Sequence, residues 1–230
     1  MRVEPYAVNS IVHVVKRGGR GLPITRDEND QKRFVKLLYY LNDEHRSVDW
    51  AQDISELQLF ERPVSWPERR PLTSILAWTL MPNHFHLLLQ ETKEGGIARS
   101  MQSICGSMSR HFNEKYQEKG SLFQSAYTSR TVDSDEYLRY VAAYIMVKNV
   151  FELYPAGLSK ASTEFSKAWK WAIQEYPFSS LRAYALGETS PILTKDVLGE
   201  IFESDDHFKL CAQDVILGRL DHLKDRFSFE

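Results

Sequence analysis

The spacing of apolar positions along this chain changes several times, and each change marks an element. Residues 7–16 (AVNSIVHVVK) are rich in Val and Ile and run into Arg17-Gly18-Gly19-Arg20-Gly21, a strand entering a flexible basic loop. Over 27–46, Phe34, Leu37, Leu38 and Leu41 recur at helical spacing, with Asp27 and Glu28 at the end where a helix favours acids. The period is lost over 48–70 around Trp50, Pro63, Trp66 and Pro67, which reads as a partly ordered insertion. Residues 71–81 and 84–90 are apolar runs of strand length joined by Pro82-Asn83, an antiparallel hairpin. After Gly95-Gly96, Met101, Ile104, Met108 and Phe112 recur every three or four residues, an amphipathic helix over 97–118 that stops near Gly120.

A short strand is expected within 122–132. Asp133 or Ser134 then caps a helix through Tyr137, Tyr140 and Tyr144 to Asn149. Beyond Pro155, Trp169, Trp171 and Tyr176-Pro177-Phe178 read as an aromatic connector, followed by helices near 180–186, 195–202 and 207–217. The order strand, helix, strand, strand, helix, strand, helix predicts an α+β fold. It is a ferredoxin-like antiparallel sheet with helices packed on one face, plus a C-terminal helical extension. The expected division is a catalytic domain over 1–155, with the insertion at about 48–70, and a connector and helical extension over 156–230.

Composition narrows the class without naming a chemistry. With 43% hydrophobic and 26% charged residues, the chain is that of an ordinary globular protein, neither fibrous nor disordered. A net charge of −2 supplies no global basic field, so a nucleic-acid partner would have to be met by local clusters. Cys105 and Cys211 are far apart and read as free thiols in a reducing compartment. The opening residues, 1–5, have no apolar core of leader length, and nowhere do 18 apolar residues run together. The expectation is a cytoplasmic protein without membrane spans.

Candidate chemistry centres on the hairpin. Side chains alternate across a strand, so His84 and His86 share one face while Phe85 points the other way. Two imidazoles on one face can share a divalent metal, although a bare His-x-His pair is more often structural. The longer string Leu80-Met81-Pro82-Asn83-His84-Phe85-His86-Leu87-Leu88-Leu89 changes that balance. It resembles the His-hydrophobic-His motif of the HUH transposases, in particular the REP-associated tyrosine transposases and their insertion-sequence relatives. His13-Val14-Val15-Lys16-Arg17-Gly18 resembles the opening strand of that family and its Arg-Gly loop. Residues 120–127 (GSLFQSAY), Tyr144-Ile145 and residues 176–184 (YPFSSLRAY) are similar to its later motifs, so the resemblance covers about 6–186.

The resemblance implies a single-strand DNA endonuclease and strand-transferase in which Tyr144 is the nucleophile and a covalent 5′-phosphotyrosine conserves the energy of the broken ester. His84 and His86 would be metal ligands. Family members usually carry Asn or Gln four residues after the nucleophile. This chain has Lys148 there and Asn149 one residue later. Five residues correspond to about 140° around a regular helix, so Asn149 can join the histidines only if the helix bulges or ends, and a one-residue π-bulge suffices. Lys148 is a poor metal ligand, but it can bind phosphate or stabilise a phenolate. Two imidazoles and an amide suit Mg²⁺ or Mn²⁺ better than zinc.

The implied substrate is single-stranded DNA, palindromic or hairpin-forming, bound by a monomer or homodimer. Its contacts are expected from Arg17 and Arg20 beside the Gly-rich loop, from Arg99, Arg110, Lys115 and Arg130 in the acid-poor 93–132 region, and from Lys148. A nucleic-acid-binding protein that keeps this fold without catalysis is the alternative. A metal-dependent hydrolase acting on a small substrate is a third reading. Residues 188–230 carry ten acidic against five basic side chains, and either pack on the core or cover the DNA channel.

Overall fold

A computed structural model describes residues 6–202 and 204–223; residues 1–5, read above for a leader, and the end of the acidic tail lie outside them. Four strands form one antiparallel sheet: β1 (Ile11–Arg17), β2 (Thr73–Leu80), β3 (His84–Glu91) and β4 (Thr128–Val132), in the order β2-β3-β1-β4. Helix α1 (Glu28–Tyr40) links β1 to β2, and α3 (Gly96–Tyr116) links β3 to β4; the short α2 (Trp50–Asp53) lies between α1 and β2. This is the βαββαβ order expected of a ferredoxin-like sheet. The hairpin turn is Pro82-Asn83, closed by the Met81 N–H donating to the His84 carbonyl at 2.7 Å.

Helices cover both faces of the sheet, where the sequence suggested one. Strand alternation sends Val12, Val14, Phe85, Leu87 and Leu89 to one face, where they pack on Phe34, Leu37 and Leu38 of α1 and Met101, Ile104 and Met108 of α3. Ala77 and Leu88 face the opposite layer, built on α4 (Asp135–Ala143), a π turn (Tyr144–Lys148) and α5 (Asn149–Glu152). The reason is legible in β3: Leu87-Leu88-Leu89 has no polar alternation, and a strand apolar on both faces needs cover on both.

The region read as an aromatic connector is largely helical. After α6 (Gly157–Thr163), α7 (Phe165–Glu175) places Phe165, Ala168, Trp169 and Ala172 on its buried side, a three-and-four spacing masked by the indoles. Helices α8 (Leu181–Ala185), α9 (Asp196–Ile201) and α10 (Asp205–Ile216) follow, and Leu181, Leu198, Phe208, Ala212 and Val215 enter the same core as Tyr137–Phe151. The outer edge of β2 is closed by this part of the chain. Leu80 N–H donates to Phe178 O at 3.0 Å, and Ser180 N–H to Trp78 O at 2.9 Å.

The insertion over 48–70 is tied down by side chains. Arg62 pairs with the buried Asp43 at 2.6 Å, and Tyr40 donates to the Glu61 carbonyl at 2.9 Å. Helix α1 ends at Tyr40, short of the expected 46, because Asn42 turns to hydrogen-bond the backbone of Thr73 through both its amide groups.

Candidate active site

The two histidines of β3 face the layer of α4 and the π turn. In the antiparallel register Arg17 stands opposite His84, Val15 opposite His86, and Thr79 opposite His86 from the other side. The rings of His84 and His86 lie 4.9 Å apart between centroids, at 70° to each other. Asn83 orients the first: its Oδ1 lies 2.7 Å from His84 Nδ1, while its Nδ2 donates to Gly21 O at 3.2 Å. The Asn83 carbonyl also accepts from Gly18 N–H at 2.7 Å, so the Arg-Gly loop is docked beside His84. Gly18 cannot be replaced without moving the backbone, because a Cβ there would meet the Leu22 carbonyl at 2.1 Å.

Tyr144 opens the π turn. Its ring centroid is 5.8 Å from that of His86 and 6.4 Å from that of His13. The turn is of the π kind because the Asn149 N–H donates to the Tyr144 carbonyl, five residues back. The longer ring sets Asn149 one π turn beyond Tyr144, a register that a regular helix does not give it. Thr79, buried on β2, fixes the turn to the sheet by donating to the Ile145 carbonyl at 2.5 Å. Lys148 Nζ lies 4.6 Å from the Tyr144 ring centroid and 2.7 Å from Glu152 Oε1.

These groups are withdrawn from solvent: His84 is 9% exposed, His86 2%, Tyr144 3% and Asn149 1%. Burial pulls the pKa of His13 down to about 3 and that of His86 well below the usual imidazole range. For His86 the neighbouring His13, His84, Arg17 and Lys148 act in the same direction. Both rings are therefore neutral, the state in which an imidazole nitrogen can ligate a metal.

His86 Nε2 and Asn149 Nδ2 are buried without a hydrogen-bond partner among the described residues, which fits a site built for something other than protein. Turning the Asn149 amide about its last bond exchanges Nδ2 for Oδ1. No three His, Cys, Asp or Glu side chains cluster as a metal-holding group among the described residues.

The basic candidates divide between the two sides of the sheet. Arg17 shares the face of His84, Arg20 stands exposed in the docked loop, and Arg130 of β4 pairs in register with His13. Arg99, Arg110 and Lys115 ride on α3, which packs on the face opposite the histidines. Lys115 is already held by Asp27 and Asp30, each at 2.7 Å. Tyr137 and Tyr140 are buried in the core below Tyr144. His13, absent from the candidates drawn from sequence, lies at the centre of the cluster: its Nε2 is 2.9 Å from His86 Nδ1, and the rings stack at 16°. Only the strand register brings them together, since 73 residues separate them.

Comparison with known families turns on the middle of the chain, residues 69–148. This segment matches the IS200-like transposases. The IS200-like segment spans β2, β3, α3, β4, α4 and the π turn, and so contains His84, His86, Tyr144 and Lys148; β1 with His13 precedes it, and Asn149 is the first residue beyond it. No curated protein matches the chain. A solved structure of a REP-associated tyrosine transposase bound to a REP hairpin is similar at 16% identity and a TM-score of 0.43, over 86% of this chain and 92% of that one. No described helix is long and apolar enough to cross a membrane.

Proposed function

We propose that this chain is a metal-dependent single-strand DNA endonuclease and strand-transferase of the transposase type, acting on hairpin-forming DNA. One observation carries the reading: the Tyr144 ring packs 5.8 Å from that of His86 at the start of a π turn, in a segment similar to the IS200-like transposases. His84, His86 and Asn149 would hold Mg²⁺ or Mn²⁺, which when bound neutralises charge on the phosphate under attack.

The Tyr144 phenolate attacks phosphorus and forms an O–P bond to the 5′ side of the cut. The P–O3′ bond breaks, and its electron pair leaves with the 3′ oxygen, which takes up a proton to become a free 3′-hydroxyl. A second 3′-hydroxyl can reverse the step and join a new strand. Lys148, over the Tyr144 ring, favours the phenolate and can meet a phosphate oxygen. Arg17, Arg20 and Arg130 would hold the DNA backbone near the histidines. Arg99, Arg110 and Lys115 are on the wrong side of the sheet to do so.

The burial of Tyr144 is the observation that favours the second reading, a DNA-binding protein without catalysis. A labelled single-stranded oligonucleotide carrying an inverted repeat from beside the gene separates the two. A Mg²⁺-dependent covalent adduct lost in Tyr144→Phe is the expected result; binding with no adduct on any such strand selects the second. A small-substrate hydrolase would keep its activity in Tyr144→Phe.

A further inference from the structure

We infer that His13 is a positioning residue, which accepts the Nδ1 hydrogen of His86 and so holds His86 in the tautomer that offers the Nε2 lone pair to a metal. The inference rests on the reading of His84 and His86 as metal ligands and assigns a role to a residue outside the matched segment.

The geometry leaves two arrangements. The 2.9 Å contact between His13 Nε2 and His86 Nδ1 holds one hydrogen, donated by one ring or the other. Were His13 the donor, a neutral His86 would carry its own hydrogen on Nε2. That atom is buried and has no acceptor among the described residues. With His86 as the donor, His13 in turn carries its hydrogen on its own buried Nδ1, so burial of an N–H does not separate the two arrangements. What separates them is the metal-ligand reading: only with His86 as the donor is its Nε2 a lone pair that a metal can take, the hydrogen being satisfied on Nδ1 by His13.

His84 is held in the parallel way. Asn83 presents its carboxamide oxygen to His84 Nδ1 at 2.7 Å, its amide nitrogen being directed to the Gly21 carbonyl. His84 therefore also carries hydrogen on Nδ1. The two β3 histidines are each held by a neighbour at Nδ1, one by Asn83 and one by His13, and each is left with Nε2 as the coordinating atom. His13 is well suited to this: it is fully buried on the central strand β1, where register fixes its backbone against both β3 and β4.

Two measurements test the inference. Long-range ¹H–¹⁵N correlation spectra of the metal-free protein report the tautomer of His86 directly, and protonation on Nδ1 is expected; protonation on Nε2 overturns the proposal. Mn²⁺ affinity, read by electron paramagnetic resonance, is expected to fall about 10- to 100-fold in His13→Phe. In His13→Gln, whose carboxamide oxygen can still accept, it should stay within about threefold of the parent, the range of context scatter. Equal Mn²⁺ binding by His13→Phe and the parent overturns the role of His13 if His84→Ala and His86→Ala both lose the ion. If those two also bind Mn²⁺ normally, the metal-site reading itself fails and the inference falls with it. Should His13→Phe not fold by circular dichroism, the His86 tautomer in the parent and in His13→Gln decides.

Discussion

Replacing Asn149 by leucine exchanges a buried amide for an apolar side chain of similar size, and the structure sets the direction of the outcome. Asn149 is 1% exposed and its Nδ2 has no partner among the described residues. A buried polar group without a partner costs about 1–3 kcal/mol. The change in shape returns up to about 1.5 kcal/mol of that. In a chelator the variant should therefore be more stable than the parent by about 1 kcal/mol, a rise of about 2–4 °C in Tm for a chain of this length. With Mn²⁺ the order reverses. An ion at one hundred times its Kd stabilises the parent by about 2.7 kcal/mol; a 10- to 100-fold weaker site would retain only about 0.4–1.4 kcal/mol at the same concentration. Differential scanning fluorimetry in EDTA and in Mn²⁺ reads both effects. A Tm that falls in EDTA would show that the amide serves the fold. An undiminished Mn²⁺ shift would remove Asn149 from the metal site.

Three further outcomes follow from the same geometry. Lys148→Gln removes the cation 4.6 Å from the Tyr144 ring and should slow adduct formation about 10²-fold, measured in single turnover, with DNA affinity changed far less; an unaltered rate argues against phenolate stabilisation. Stability in chelator should fall on acidification: His13 and His86 are held below the imidazole range in the fold, so the unfolded chain binds more protons. The contribution is present above about pH 6.5 and is lost as pH drops, for His13 toward about 3, with a slope of up to about 1.4 kcal/mol per pH unit for each ring. His13→Phe should flatten that slope in urea titrations between pH 7.5 and 4; an identical slope would contradict the burial argument. Removing 188–230 strips Leu198, Phe208, Ala212 and Val215 from the core shared with Tyr144, so adduct formation should be lost with thermal stability; a stable and more active truncation would instead identify the tail as an inhibitor.

How much of this could be read from the chain depends on the range over which each feature is decided. The βαββαβ order and the 84/86 face follow from local period, and both are present in the structure. The five-residue step from Tyr144 to Asn149 posed a condition, and sequence alone could not say whether the helix would bulge. The π turn meets that condition, and Thr79 on a neighbouring strand is part of what fixes it. The side of the sheet taken by a basic helix residue was equally illegible. Arg99, Arg110 and Lys115 looked like a DNA surface by composition, but Met101, Ile104 and Met108 commit α3 to the face away from the histidines, and Lys115 is neutralised by acids from α1 and its cap. His13 was visible only as a polar residue among valines. Its contact with His86 exists because of strand register, a non-local fact.

The central claim, that Tyr144 takes a DNA phosphate with the help of a divalent ion, can be measured at the bond itself. The protein is incubated with a single-stranded oligonucleotide bearing the inverted repeat that flanks its gene, with Mg²⁺ or with EDTA, then digested with nuclease and protease and analysed by tandem mass spectrometry. A nucleotide phosphate on the peptide containing Tyr144, formed with Mg²⁺ and absent in EDTA, is the predicted result. A modified peptide from elsewhere in the chain, or strand cleavage with no modified peptide, would contradict it.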